Sequence, residues 1–327
     1  MVSKLKEILL NSITFLKLYN IFLKTRIAVI GENKWENNRF VNFQSYTPDL
    51  KNPKTLNEKM AWLKLNYFQP FYIKCCDKYL VHQYLIDKLG KDYAPRLVFV
   101  TQDPKALTFN NIKEFPCIIK TSNGSGTNLI VKSKEQYTEK YLQKLFAKYL
   151  INSQIHTTIS REHQYDIDKA YIVVEALLKD ANGGIPNDYK FLYLNGNLEF
   201  IYCSVDRLGS NVRHVYDKDW NRLHFAWVAG ANESVYNHYD SSPSIPAPVH
   251  FEEMKTLASK LASDFPMVRI DFYETSEGIY IGEITLHHGS AHDSFYPKEF
   301  DAFYGDKLTL PKKMLSNCKN LSHTHSY

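Results

Sequence analysis

Two carboxylates in one short stretch of this chain stand where a divalent cation would want them. In MVRIDFYETSEGIYIGEITL (267–286) an apolar alternation reverses across Ser276-Glu277-Gly278. That composition predicts a hairpin with a three-residue loop and Gly278 in the left-handed position. Thr275 then faces Ile279, and counting back sets Tyr273 opposite Ile281, Asp271 opposite Glu283 and Arg269 opposite Thr285. Side chains alternate along a strand, so Arg269, Asp271, Glu283 and Thr285 share one face, and Val268, Ile270 and Phe272 share the other. Facing carboxylates repel, so a cation belongs between them, and neutralising either one should not lower stability. Hard oxygen ligands with room for phosphate suit Mg²⁺. The competing reading is an exposed acidic pair neutralised by Arg269.

A second stretch, FPCIIKTSNGSGTN (115–128), pairs a lysine with a small-residue loop. It lacks the Lys-Ser/Thr of a P-loop and the third glycine of a dinucleotide fingerprint. Backbone N–H groups of such a loop can still close over phosphates. Lys120, ending an apolar strand beside the loop, needs an anionic partner. Arg207 and Arg213 are candidates to fork onto a substrate carboxylate. His287 and His288, adjacent on a strand, point to opposite faces and make a poor zinc pair. Either one suits contact with a substrate or deprotonation of an amine.

The elements that must position these residues follow from periodicity and punctuation. Thr55 and Glu58 stand at capping-box spacing, with Leu56, Met60, Leu63 and Tyr67 on one helical stripe. A second helix is expected from about Ile73 to Leu89, ending at Gly90, and a third from Ser133 to about Asn152. YIVVEALL (171–178) and FPCIIK read as buried strands, with LIVK (129–132) returning beside the latter. Asn195-Gly196 joins DYKFLYL to NLEFIYCSVDR as a tight hairpin. A helix from about Phe251 to Asp264 buries Met254, Leu257, Ala258 and Leu261. The segments Gly31–Pro53 and Asn211–Pro248 read as irregular, the second with at most one hairpin.

FPCIIKTSNGSG, VVEALL and VRIDFY…IYIGEIT, in that order, resemble the ATP-grasp superfamily. The likeness is closest to its TupA-like branch, named for teichuronopeptide biosynthesis and found among polysaccharide-modifying proteins. NEKM (57–60), DKY (77–79), DYKF (188–191) and Asp206-Arg207 are further phrases of that branch, and the resemblance runs from about Asn52 to Leu310. It implies an α+β ATP-grasp fold, with two α+β subdomains gripping ATP between antiparallel sheets after a helical N-terminal region. The implied divisions are residues 1–50 as a lead-in, 51–114 as a helical subdomain, 115–175 and 176–311 as the two grasping subdomains, and 312–327 as a mobile tail.

The resemblance also implies roles. Lys78 and Lys120 look like the nucleotide-phosphate lysines, and Asn123, Gly124, Ser125, Gly126 and Thr127 like the loop over the β- and γ-phosphates. Glu175, Ala176 and Leu177 would meet adenine and ribose, and Lys190 would lie near the γ-phosphate. Asp271 and Glu283 would hold magnesium, with Arg269 beside an acyl phosphate. Thr285 stands where most members have asparagine, which leaves one or two metal ions open. The implied reaction is ATP-dependent amide formation between a carboxylate, such as a uronic acid of a surface polysaccharide, and an amino-acid amine. A carbohydrate phosphotransferase, a glycosyltransferase and a polysaccharide-binding protein are the alternatives.

Composition sets outer limits. The 327 residues suffice for two packed domains, and a net charge of +5 is too mild and dispersed for a nucleic-acid stripe. Five irregularly spaced cysteines, with no Cys-x-x-Cys, read as thiols in a reducing cytoplasm. Near the N-terminus Leu5, Ile8, Leu9, Ile13, Leu16, Tyr19 and Leu23 share a helical face, with Lys6, Glu7, Asn11, Thr14, Lys17 and Lys24 opposite. The run is too interrupted to span a bilayer. Its two destinations are peripheral contact with the inner membrane face or docking on the protein's own core.

Overall fold

The computed structural model describes residues 12–205 and 212–315. Arg207, Asp206, the Leu5–Leu9 part of the amphipathic segment and the chain after 315 lie outside the described residues. The helices run α1 Ile13–Ile30, α2 Glu32–Gln44, α3 Leu56–Asn66, α4 Tyr72–Cys76, α5 Val81–Leu89, α6 Glu139–Ser160, α7 Glu233–Asp240, α8 Phe251–Ala262 and α9 Glu299–Lys307. Ten strands form the two main sheets: β1 Leu97–Thr101, β2 Cys117–Thr121, β3 Asn128–Val131, β4 Ile172–Ala176, β5 Asp188–Leu194, β6 Asn197–Val205, β7 Val212–Tyr216, β8 Arg222–Leu223, β9 Met267–Thr275 and β10 Gly278–Thr285. The smaller sheet has the order β1-β4-β2-β3 and the larger β10-β9-β5-β6-β7-β8, and every pairing is antiparallel.

Three apolar clusters hold these layers. One face of the large sheet, through Val268, Ile270, Phe272 and Phe191, packs on α5 and α8. The opposite face, through Leu192, Phe200 and Tyr202, meets α3, Trp227 and Tyr304. The small sheet packs Ile119, Ile172 and Val174 against Leu142 and Phe146 of α6. The alternation of strand and helix periods in the sequence is therefore used as expected. The Thr55–Glu58 capping box forms, and Asn195 and Gly196 both take positive φ in the β5–β6 turn.

Five readings are corrected. Glu32–Gln44 is helical rather than irregular: its sparse buried set, Glu36, Phe40 and Gln44, recurs every four residues but is two-thirds polar. The expected helix 73–89 breaks at Asp77, whose Oδ1 accepts from the backbone N–H of Tyr79 and Leu80 and turns the chain before α5 restarts. The third helix is capped by Thr138, not Ser133, and continues to Ser160. The division at 114/115 cuts the small sheet, because Leu97–Thr101 pairs with Ile172–Ala176; this short strand is only half-buried and gave no clear alternation. Met314 and Leu315, placed in the tail, pair in parallel with Tyr67 and Phe68.

Helix α1 docks through Leu16, Asn20, Leu23 and Ile27 and lies against α6. No described helix is long and apolar enough to cross a membrane. Helix α2 joins the core by a buried ion pair: Lys64 Nζ of α3 donates to Glu36 Oε1 at 2.6 Å and to the Ser290 carbonyl at 2.8 Å, with both charged side chains fully buried. Burial works to raise the Glu36 carboxyl, but Lys64, with His292 beside it, holds it down at about 2.

Removing one partner leaves an uncompensated buried charge, so Lys64→Met is expected to cost about 3–5 kcal/mol in urea unfolding. Lys64→Met combined with Glu36→Leu should recover most of that loss. The folded pKa of Glu36 lies below its ordinary 4.5. Its contribution is therefore full above about pH 4.5 and lost as pH falls from there toward 2, and in the double variant that part of the acid sensitivity should vanish.

Candidate active site

The β9–β10 hairpin brings Asp271 opposite Glu283 and Arg269 opposite Thr285, as counted from the sequence, but by a different route. The turn is the two-residue Ser276-Glu277, with Thr275 paired to Gly278, which alone would have set Asp271 against Gly282. A bulge at Gly282 takes up the extra residue and restores the register. A side chain at 282 would collide with the Tyr273 ring, so only glycine lets that ring lie across the bulge.

Asp271 is the centre of the charge arrangement. Arg269 Nε and Nη2 donate to its Oδ1 and Oδ2 at 2.7 and 2.8 Å, and Lys190 Nζ donates to Oδ2 at 2.6 Å. Lys190 stands directly across the β9–β5 ladder and also donates to Asp188 Oδ2 at 2.6 Å. Burial pushes the Asp271 carboxyl upward, and Arg269 followed by Lys190 overcomes it, holding it at about 2. Burial opposes the charge on Arg269, yet Asp271 and Glu283 keep the guanidinium protonated above its ordinary range. The cation expected between the two carboxylates is thus present in protein form: Arg269 Nη2 lies 3.4 Å from Glu283 Oε2, and Lys78 Nζ 3.7 Å from Glu283 Oε1.

The small-residue loop reaches the same place. Lys78, displaced from the helix by the break at Asp77, donates to the Gly124 carbonyl at 2.9 Å. A Cβ at Gly124 would strike Thr121, Thr127 and Ser153, so the loop closes this tightly only with glycine there. Asn123 is buried and donates to the Tyr165 carbonyl at 3.1 Å, while Ser125 and Gly126 are exposed. Lys120 finds its anion in Glu175, at 2.6 Å across the small sheet.

Two cavities are lined by residues of this region. An apolar one of about 360 Å³ runs from Lys120, Glu175, Ala176, Leu177 and Ile118 to Tyr273. A polar one of about 310 Å³ is lined by Asn123, Gly124, Ser125, Arg269, Glu283 and His287, and also by Arg39, Glu162, Tyr165 and Asp293. Asp271 lies between Arg269 and Tyr273 on β9, hence between the cavities. Arg213 is not on either wall: it donates to Tyr202 Oη at 2.7 Å. His287 reaches the polar cavity, but burial lowers it to about 3, so it is neutral. His288 sits behind, 2.5 Å from Arg269 Nη1 and 3.0 Å from Asp293 Oδ2. Sequence reasoning missed Arg39, Glu162 and Tyr165, which stand on helices and turns far from the hairpin and carry no local signal.

A divalent cation fits this donor set in one way only. No group of three or more His, Cys, Asp or Glu side chains able to hold a metal occurs among the described residues. A closed protein cage is thus not offered, while Glu283 on the polar wall, with Asp271 opposite it in the ladder, is the sparse oxygen set that matches the habit of Mg²⁺, which keeps water and phosphate oxygens.

A family model described as TupA-like ATPgrasp matches residues 58–309. Among solved structures, the chain is similar to the ATP-grasp ligase PsnB complexed with a phosphomimetic variant of its minimal precursor, Mg and ADP, at 13% identity over 74% of this chain and 60% of that one, with a TM-score of 0.39. A D-alanine–D-alanine ligase from Helicobacter pylori matches at 16% identity over 71% and 61%, TM-score 0.37. A phosphoribosylamine–glycine ligase from Thermotoga maritima matches at 12% over 68% and 50%, TM-score 0.37. The chain spans between half and two thirds of the length of these structures. No curated protein matches it in sequence.

The network reverses the stability expectation drawn from carboxylate repulsion. Asp271→Asn would leave Arg269 and Lys190 buried with half their compensation, so it is expected to lose about 3 kcal/mol in urea unfolding without ligand. Glu283→Gln, at a side chain 28% exposed, should change stability by less than about 1 kcal/mol. Equal losses in the two variants would show that the network is not centred on Asp271.

Proposed function

Because the chain belongs to the TupA-like ATP-grasp family, we propose that it is an ADP-forming carboxylate–amine ligase. The observation that carries this reading is an apolar and a polar cavity reached from one strand, Tyr273 lining the first and Arg269 the second, with Asp271 ion-paired to Arg269 and Lys190 between them. The base and ribose of ATP occupy the apolar cavity along Glu175, Ala176 and Leu177. The phosphates cross Lys120 and Lys190 beneath the Asn123–Thr127 loop and reach Lys78 at its far end. The polar cavity beyond receives the carboxylate and the amine.

A carboxylate oxygen of the substrate attacks the γ-phosphorus, and the bond to the ADP oxygen breaks. The amine nitrogen then attacks the acyl carbon, inorganic phosphate departs and the amine loses a proton. Charge spreads over the transferring phosphoryl oxygens, and fixed lysines and Arg269 neutralise it with no covalent protein intermediate. Mg²⁺, when bound, would neutralise and orient phosphate oxygens, with Asp271 and Glu283 as its protein ligands. Glu283, the more exposed of the two, is the readier ligand. Arg269 lies on the acceptor side, where it would steady the acyl phosphate, and Arg39 faces the same space with a second guanidinium for a substrate carboxylate. His287, being neutral, contacts substrate by hydrogen bonding and is too weak a base to take a proton from an ammonium.

The polysaccharide-modifying character of the TupA-like branch suggests a sugar acid as the carboxylate and an amino acid or short peptide as the amine, in the cytoplasm. Phosphotransfer to a carbohydrate hydroxyl is the second reading, since Asp293 on the polar wall is a carboxylate suited to accept a hydroxyl proton. Incubation with ATP, a uronic-acid oligosaccharide and mixed amino acids should yield a product heavier by one aminoacyl group, detected by mass spectrometry. A gain of phosphate alone would replace the ligase with a kinase. In calorimetry Lys120→Ala should weaken ATP binding about tenfold or more, and Lys120→Arg less, since the phosphates need charge before shape. Unchanged affinity in Lys120→Ala would remove that lysine from the nucleotide site.

A further inference from the structure

Helix α1 has two apolar faces, and the core uses only one. Leu16, Asn20, Leu23 and Ile27 are buried. On the opposite side Leu18 is 61% exposed, Ile21 61%, Phe22 56% and Val29 82%. At ~100° per residue these four fall within a sector of about 100°. Lys17 and Lys24 border that sector on one side and Arg26 on the other, its guanidinium 5.7 Å over the Trp35 ring. Phe15, Tyr19 and Phe22 form a ladder of rings with centroids 6.3 and 6.5 Å apart along the helix. No Asp or Glu occurs between Ile8 and Gly31.

We propose that α1 carries the protein on an anionic lipid surface, with Leu18, Ile21, Phe22 and Val29 entering the interface and Lys17 and Lys24 meeting the headgroups. An apolar sector edged by basic residues is the pattern of a helix that lies in the plane of a membrane, and aromatic rings favour that depth. At 1.5 Å per residue the helix offers a flat contact of roughly 27 Å. A second copy of the chain is the poorer occupant: paired α1 faces would bring their lysines together with no acidic residue on either helix to answer them. Docking and membrane contact, which a single amphipathic stripe sets against each other, are thus served by opposite faces of one helix. The inference rests on α1 alone and stands whatever the catalysed reaction.

The test is co-sedimentation of the full chain with vesicles of phosphatidylcholine, or of phosphatidylcholine with about one third phosphatidylglycerol. Binding is expected to the anionic vesicles and to weaken with salt as screening shortens the reach of the lysines. The triple variant Leu18→Ser, Ile21→Ser, Phe22→Ser should bind at least about tenfold more weakly at an unchanged melting temperature, because its side chains leave no core contact. Lys17→Ser with Lys24→Ser should lose the preference for anionic lipid. The proposal is overturned if the native chain stays unbound on both vesicles, or if the triple variant binds as the native chain does. A native dimer that the triple variant turns into a monomer in sedimentation velocity would overturn it too, assigning the face to a subunit contact.

Discussion

A carboxylate buried in the middle of a sheet is stable only if the sheet itself supplies its counter-charge, and Asp271 obtains its own from two directions. Arg269 stands two residues earlier on the same face of the same strand, and Lys190 directly opposite on the neighbouring strand. Both directions follow from the pleat: one needs period two along a strand, the other an antiparallel register between strands. A slip by one residue would turn the acid into the apolar cluster of Val268, Ile270 and Phe272. The register of the large sheet is therefore fixed by electrostatics as well as by burial, and the bulge at Gly282 is what reconciles the tight turn with that register.

Everything else in the site is arranged around this fixed point. The chain breaks at Asp77 so that Lys78 leaves the helical path and reaches the Gly124 carbonyl and Glu283 together. The small sheet presents Lys120, with Glu175 as partner, at the rim of the apolar cavity. Cations are thus supplied by both sheets and by the helical region. Each of them is held by a carboxylate or a carbonyl, and such fixed charges need little reorganisation when an anionic ligand arrives.

The N-terminal helices extend this arrangement beyond the segment that the family model matches. Glu36 of α2 ties to Lys64 and His292, and Arg39 and Phe43 of the same helix form part of the polar wall. Since α2 is anchored by a fully buried ion pair, the polar cavity owes part of its wall to residues outside 58–309. Variation in this helix would alter what the polar cavity admits while the apolar cavity, which it does not line, stayed as it is.

Residue order alone determined a good deal here. Alternation of apolar residues placed the hairpins, the capping box set the start of α3, and Asn-Gly fixed the β5–β6 turn, because each depends on neighbours within a few positions. The facing of Asp271 and Glu283 was also legible, although by compensating differences in turn and bulge. What tertiary structure decided is the company each residue keeps. Arg39, Glu162 and Tyr165 meet the hairpin across more than a hundred positions, Lys120 finds Glu175 fifty-five residues on, and Arg213 turns to Tyr202 instead of the cavity. The second apolar face of α1 became visible only once its partner helix showed which stripe was covered. Local steric and hydrogen-bond preferences are written in the sequence, whereas long-range charge pairing and the selection of a buried face arise only when distant segments exclude water together.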